Sequence, residues 1–264
     1  MPTDRSWSRD FGPMQVVGKK GAAVVDFHFN GWAKYRDWTK DTRIAGRVAK
    51  KRAIPLYEAT MNGRPMVIEG GGVEVNGRGT LITTEECFMD PTTQVRNRGA
   101  SKADYARAFA DYLAATNIIW LNRGVVGDDT HGHVDDLCRF VNPTTLVLAV
   151  ENDPTETNYA PLRENRERLQ TARLETGDRP EVVELPMPRP LYYDGNRLPA
   201  SYANFYIANG AVIVPTFNDP ADRIALGVLQ ELIPDRTVVG VHAVDLVWGL
   251  GTLHCLTQQD PATP

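Results

Sequence analysis

The chain of 264 residues is short of the features that would commit it to several common classes. Cysteine occurs three times, as Cys87, Cys138 and Cys255, too few and too far apart for a disulfide framework. That count suits a reducing compartment, where a solitary thiol stays available for chemistry. No apolar run approaches the roughly 20 residues that span a bilayer; Leu146-Val147-Leu148-Ala149-Val150 is among the longest. Met1-Pro2-Thr3-Asp4-Arg5 has no apolar h-region, so no secretory signal is expected and the default compartment is cytoplasmic. A basic excess is also lacking. The net charge of −4 speaks against nucleic acid as a partner, and nothing points to a membrane. Lys19-Lys20 and Lys50-Lys51-Arg52 read as solvated surface.

What is present is an ordinary globular composition, 42% hydrophobic and 23% charged, and a repeat. Two strands, a helix and a strand recur in the same order. The clearest copy predicts strands over 66–75 and 79–84 joined by Asn76-Gly77, a hairpin signal. Ser101, with Asp104 three positions on, predicts a capped helix that places Tyr105, Phe109, Tyr112 and Leu113 on one face and ends at Asn117. Ile118–Leu121 reads as its closing strand. The next copy runs from Val134 through Phe140-Val141, turns at Asn142-Pro143, and continues as a strand over 146–150, a helix over 160–174 and a strand over 181–185. Another starts at Tyr202, turns at Asn209-Gly210 into 211–214, and carries a helix capped by Asp219 with Ile224, Val228 and Leu232 on one face. Thr237–Val241 closes it. A weaker copy spans 14–17, 22–27, a helix from about Asp41, and 54–57. Units this small cannot bury their own faces, and a closed ring removes exposed edges. The expectation is therefore one α/β domain over 1–264, built as a propeller of ββαβ modules.

The chemically suggestive residues recur at matching places in successive modules. Arg9-Asp10-Phe11-Gly12-Pro13 precedes the first hairpin, Glu69-Gly70-Gly71-Gly72 lies on the first strand of the second, and Gly132-His133-Val134-Asp135 opens the third. Ser201-Tyr202-Ala203-Asn204 opens the fourth, and His254-Cys255 follows it. In a ring of repeats such positions converge, which would gather Asp10, Glu69, His133, Asp135 and Cys255 around one pocket. A thiolate is a strong nucleophile, and an imidazole delivers and recovers protons near neutral pH. Carboxylates crowded around a cysteine suppress its ionisation, unless the substrate itself brings positive charge. A guanidinium does so, and pairs bidentately with carboxylates. The set thus points to a guanidinium substrate rather than a peptide or ester.

Trp7-Ser8-Arg9-Asp10-Phe11-Gly12-Pro13, Glu69-Gly70-Gly71, Thr83-Thr84-Glu85-Glu86-Cys87, Gly132-His133-Val134-Asp135 and His254-Cys255-Leu256-Thr257-Gln258-Gln259 resemble, in order, the agmatine deiminase family, which includes the bacterial-type peptidylarginine deiminases of the guanidino-group-modifying superfamily. The resemblance runs along almost the whole chain. It implies a propeller with pseudo-fivefold symmetry, of which about four modules are complete here and the N-terminal one is lacking. It implies no cofactor and no metal, and a hydrolase of linear amidines. Cys255 would attack the guanidinium carbon and form a covalent thiouronium. His133 would protonate the departing ammonia and then activate water. Asp10 and Asp135 would hold the guanidinium nitrogens, and Glu69 would contact His133 or the substrate. Agmatine would give N-carbamoylputrescine; peptidylarginine is the alternative substrate, and a non-catalytic remnant the alternative role. A homo-oligomer or a complementing N-terminal fragment would supply the absent module. Trp7 and Gly251 are expected to line the substrate pocket. Family members carry three glycines before the His-Cys segment, where this chain has Gly249-Leu250-Gly251.

Cys87 and Cys138 read as core, His28 and His242 as packing or surface. Trp120 reads as a core aromatic. Asp128 and Asp129 either grip a distal ammonium or cap a turn. A metal hydrolase is the rival reading of His131-Gly132-His133-Val134-Asp135-Asp136, which falls one residue short of His-x-His-x-Asp-His.

Overall fold

The computed structural model of the protein describes residues 1–262. A short helix α1 (Ser8–Phe11) precedes the hairpin β1 (Met14–Gly18) and β2 (Gly21–Asp26); a 3-10 turn over Asp41–Arg43 leads into α2 (Ile44–Arg52) and β3 (Leu56–Glu58). After a small hairpin, β4 (Thr60–Met61) and β5 (Arg64–Pro65), come β6 (Glu74–Val75), β7 (Thr80–Thr84), α3 (Glu85–Met89), α4 (Lys102–Leu113) and β8 (Asn117–Leu121). The third unit holds β9 (Cys138–Phe140), β10 (Thr145–Val150), α5 (Tyr159–Thr171) and β11 (Glu181–Pro186). Beyond the hairpin β12 (Tyr192–Tyr193) and β13 (Asn196–Arg197), the fourth holds β14 (Tyr206–Ile207), β15 (Ala211–Thr216), α6 (Ala221–Leu232) and β16 (Thr237–His242).

Each unit makes its own three-stranded sheet: β1-β2-β3, β6-β7-β8, β9-β10-β11 and β14-β15-β16. The middle strand pairs antiparallel with the first and parallel with the last. A hairpin suffices for the antiparallel pair, whereas the parallel pair needs a long crossover, which is why a helix stands between them. Burial is deepest in the two central units, in β7, β9 and β10; every residue of β7 is buried. Apolar contacts also run between units. Ile82 and Leu121 share a cluster with Leu146, Leu148 and Leu162, and Val147 and Leu185 share one with Val214 and Leu229. Accordingly α5 packs on β8 and α6 on β11, each helix covering the last strand of the preceding unit. On β16, Val239 and Val241 stay exposed. Among the described residues no helix is long and apolar enough to cross a membrane.

Several elements differ from expectation, most of them near the chemistry. The run 66–75 is strand only at Glu74–Val75, because Gly70–Gly72 makes a 3-10 turn; Glu69 precedes that turn instead of lying on a strand. The turn into β7 is longer than two residues and is closed by the Asn76 side chain, which accepts from the amides of Arg78 and Thr80. Likewise Val134–Asp136 is a 3-10 turn ahead of β9, and the segment from Tyr202 becomes strand only at Tyr206. The Ser101 capping box is present, but α4 stops at Leu113 with Ala114 left-handed, and Asn117 begins β8. The helix expected over 160–174 ends at Thr171. In α6 the fully buried residues are Ala225 and Leu229; Ile224 is 58% exposed, since the buried stripe runs one position later, through Ala225 and Leu229 to Ile233. Its first turn follows Pro220, and Asp219 accepts from the Ala221 amide.

Candidate active site

Irregular segments at the start of each unit build the site. Gly71 shows how tightly they converge. A β-carbon placed there would lie 2.5 Å from His133 Nδ1, 2.9 Å from Asp10 Oδ1 and 3.1 Å from Asp135 Oδ2, so only glycine lets these three groups meet. Asp10, at the second turn position of α1, is fixed by two donors: Trp32 Nε1 at 2.9 Å and the Gly71 amide at 3.0 Å. Arg9 beside it is a buried tie to the C-terminal segment. Its guanidinium donates to the His254 carbonyl, Thr257 Oγ1 and the side chains of Gln258 and Gln259, and its amide donates to the Cys255 carbonyl at 3.0 Å.

His133 is held by the turn before it. His131 and Gly132 both have positive φ, and Asp128 Oδ2 accepts the amides of Gly132 and His133 at 2.9 Å each. Asp128 is therefore the turn cap. The His133 ring lies between carboxylates, with Nδ1 3.7 Å from Asp10 Oδ1 and Nε2 3.7 Å from Glu69 Oε2. Glu69 is anchored through Oε1 by Arg96 Nε at 3.2 Å, a pair with no solvent exposure. Burial disfavours the imidazolium, but Asp10, Cys87 and Glu69 outweigh it and hold the His133 pKa well above the usual value.

On the other side of Asp135 lies the thiol. Asp135 Oδ2 accepts from His254 Nδ1 at 2.6 Å and stands 3.8 Å from Cys255 Sγ; Oδ1 is buried with no hydrogen-bond partner. Burial pushes the Asp135 carboxyl up, as does Asp10. Asn204 holds the nucleophile segment. Its Oδ1 accepts from Thr252 Oγ1 at 2.7 Å and the His254 amide at 3.0 Å, and its Nδ2 donates to Cys255 Sγ at 3.2 Å. Arg139 on β9 in turn fixes Asn204 by donating to the carbonyls on either side, those of Ala203 and Phe205. Burial and then the carboxylates of Asp135, Asp136 and Asp10 raise the Cys255 thiol well above its ordinary pKa.

A cavity of about 90 Å³ opens onto this group, lined by Trp7, Asp10, Trp32, Tyr35, Asp129, Gly251 and Cys255 among others. Trp7 packs so closely on Gly249 and Gly251 that a β-carbon would sit 2.9 and 3.0 Å from its ring. Leu250 between them occupies the left-handed region, φ +66°, strained for a side chain. Asp129 faces the cavity, held by Lys34 Nζ and by Tyr35 OH at 2.7 Å.

Asp10, Glu69, His133, Asp135 and Cys255 thus form one connected group, with Trp7, Asp129 and Gly251 on the cavity wall. The rival metal motif does not assemble: His131 turns away from His133 toward Asp90, 3.0 Å from Nε2, and Glu86. Cys138 is core, and His242 is exposed. Cys87 is buried as expected, yet it borders the site, packed beside Glu69 and His133. Asn204, His254, Trp32, Arg9 and Arg96 carry site contacts that residue type alone does not announce. Only position hints at them: Asn204 opens its unit where His133 opens the third, and His254 adjoins Cys255.

Known proteins resemble this chain along almost its whole length. Agmatine deiminase of Pseudomonas fluorescens (strain SBW25) is 37% identical over 99% of this chain and 76% of its own length. A solved structure of agmatine deiminase of Enterococcus faecalis superposes with a TM-score of 0.90 at 31% identity, covering 97% of this chain and 74% of that one. A cysteine-to-serine agmatine deiminase of C. jejuni with substrate bound gives 0.85 at 32% identity, covering 96% and 72%. The chain spans about three quarters of the length of these relatives. Residues 1–261 also match the family profile, and with it the chain belongs to the Porphyromonas-type peptidyl-arginine deiminase family.

Proposed function

We propose that the protein is a deiminase that hydrolyses the guanidinium of agmatine to N-carbamoylputrescine and ammonia. The observation that carries this reading is a thiol and an imidazole on either side of buried carboxylates, opening onto a small aromatic-walled cavity. A guanidinium entering between Asp10 and Asp135 compensates the charge that keeps Cys255 protonated. The sulfur then adds to the guanidinium carbon, and the thiol proton leaves on the departing nitrogen. His133 adds its own proton, so that ammonium departs and a cationic thiouronium remains on the enzyme beside a neutral imidazole. Water, deprotonated by the now neutral His133, adds to the same carbon, and the C–S bond breaks to return the thiol and a ureido product. Asn204 orients the sulfur throughout, and Glu69 with Arg96 keeps the ring in place. Asp129 is the acceptor for the distal ammonium, in competition with Lys34. Relatives named agmatine deiminases support the choice of substrate.

The same reading takes the chain as one catalytic domain whose four units stand around a common centre as blades of a pseudo-fivefold propeller. The packing of each helix on the preceding unit supports it. Three unpaired cysteines favour a cytoplasmic setting.

The test is ammonia release from agmatine by the intact chain and its Cys255→Ser variant, with intact mass recorded during turnover. The wild type accumulates an adduct, while the serine variant folds, binds and turns over below roughly one ten-thousandth of the wild-type rate. Substantial turnover by the serine variant would end covalent catalysis at Cys255.

A further inference from the structure

Around the catalytic histidine lies a group of donor atoms that includes a thiol the reaction leaves unused, that of Cys87. A carboxylate oxygen of Glu69, a ring nitrogen of His133 and Cys87 Sγ lie within 4.8 Å of one another, all buried. Glu69 Oε2 and His133 Nε2 are both without a hydrogen-bond partner, and their 3.7 Å separation is beyond hydrogen-bond length. Two ligands on one tetrahedral zinc, at bonds of about 2.0–2.1 Å, stand roughly 3.3 Å apart. For this pair a few tenths of an ångström of closure therefore suffices. The outer groups are already arranged as around a bound metal: Arg96 fixes the other oxygen of Glu69, and Asp10 faces the other nitrogen of His133.

We propose that Glu69, Cys87 and His133 form a binding site for a thiophilic divalent cation of the zinc class, and that its occupation switches the enzyme off. One sulfur, one imidazole nitrogen and one carboxylate oxygen, with water as the fourth ligand, is a donor set that favours zinc over magnesium or calcium. Charge is conserved on binding. The dication displaces the thiol proton of Cys87 and the Nε2 proton of His133 to solvent, so the buried cluster keeps its net charge. An imidazole held at Nε2 retains a proton on Nδ1 and cannot take up another, so the acid that protonates ammonia is lost. The inhibition, though not the binding, rests on the role proposed for His133.

The experiment titrates the metal-free full chain with Co²⁺ in the absence of substrate. One equivalent is expected to produce the near-ultraviolet thiolate-to-cobalt absorption, preserved in Cys255→Ser and lost in Cys87→Ser. Absence of the band in the wild type would overturn the proposal, as would its loss in Cys255→Ser with persistence in Cys87→Ser. Zn²⁺ is expected to stop ammonia release, with the half-inhibiting concentration raised at least about tenfold in Cys87→Ser. An unchanged value overturns the inhibition. Should Cys87→Ser fail to fold, anomalous scattering from zinc-soaked wild-type crystals decides: a peak between the three atoms supports the site, and a peak elsewhere or none removes it.

Discussion

His133 and His254 are both almost wholly buried and both border Asp135, yet they hold opposite charge states. Desolvation disfavours the imidazolium in each. His133 faces Asp10, Glu69 and a thiol, which together reverse the penalty and keep it protonated. His254 faces Arg139, Arg9 and the cationic His133, which deepen the penalty and keep it neutral. Burial therefore amplifies whatever charge lies nearby instead of dictating a state. One ring can then serve as the acid, and the other as a fixed donor to the carboxylate beside the nucleophile.

The contrast extends to stability. With its folded pKa raised, His133 contributes stability that is fully present below the unfolded value near 6.5 and is lost as pH rises through the folded value. His254, with its folded pKa depressed, works in the opposite sense: its neutral form is favoured in the fold, and stability falls as pH drops below about 6.5 toward the folded value.

The sharpest way to break the comparison is Asp10→Asn, which removes the largest favourable charge at His133 with little change of shape. The His133 pKa should fall and the alkaline limb of ammonia release should move to lower pH. The kcat at neutral pH should drop by about 10²–10⁴-fold. Nitrogen-15 shifts of the two rings would check it: His133 moves and His254 stays neutral, and an unshifted His133 titration would refute the account. On the other side, Arg139→Met removes the largest cationic influence on His254 and strands Glu74, its 2.9 Å partner. Urea unfolding should show a loss of about 3–5 kcal/mol, and the acid-side fall in stability should become shallower. A variant as stable as wild type would mean that Arg139 supports neither. The smallest effect is expected at the cavity mouth, where Asp129→Asn should raise KM for agmatine several-fold, by about 1 kcal/mol, with kcat little changed. Equal KM values would remove Asp129 from the site.

Much of the fold was legible because each unit announces itself locally. Short unbroken apolar runs mark β10 and β15, the Ser101-Asp104 box starts α4, and glycine and asparagine mark the hairpin turns. The misread stretches lie at the site. Glu69-Gly70-Gly71-Gly72 has the apolar neighbours of a strand, but its glycines bend around His133 and Asp10. Cys87 has the pattern of a core residue and is one, yet the far side of its environment is the catalytic ring. The choice between Asp128 and Asp129 could not be made from adjacency; the loop turns one carboxylate to backbone amides and the other to the cavity.

The linear sequence by itself determined the succession of strands and helices and the fourfold repetition. Those depend on periodicities and caps that act over a few neighbouring residues. Only the tertiary structure decided which charges surround each imidazole, that carboxylates crowd the Cys255 thiol, and that Asn204 and Arg9 hold the segment around it. Such properties come from groups tens to hundreds of positions apart, brought within a few ångströms in a medium that screens them weakly.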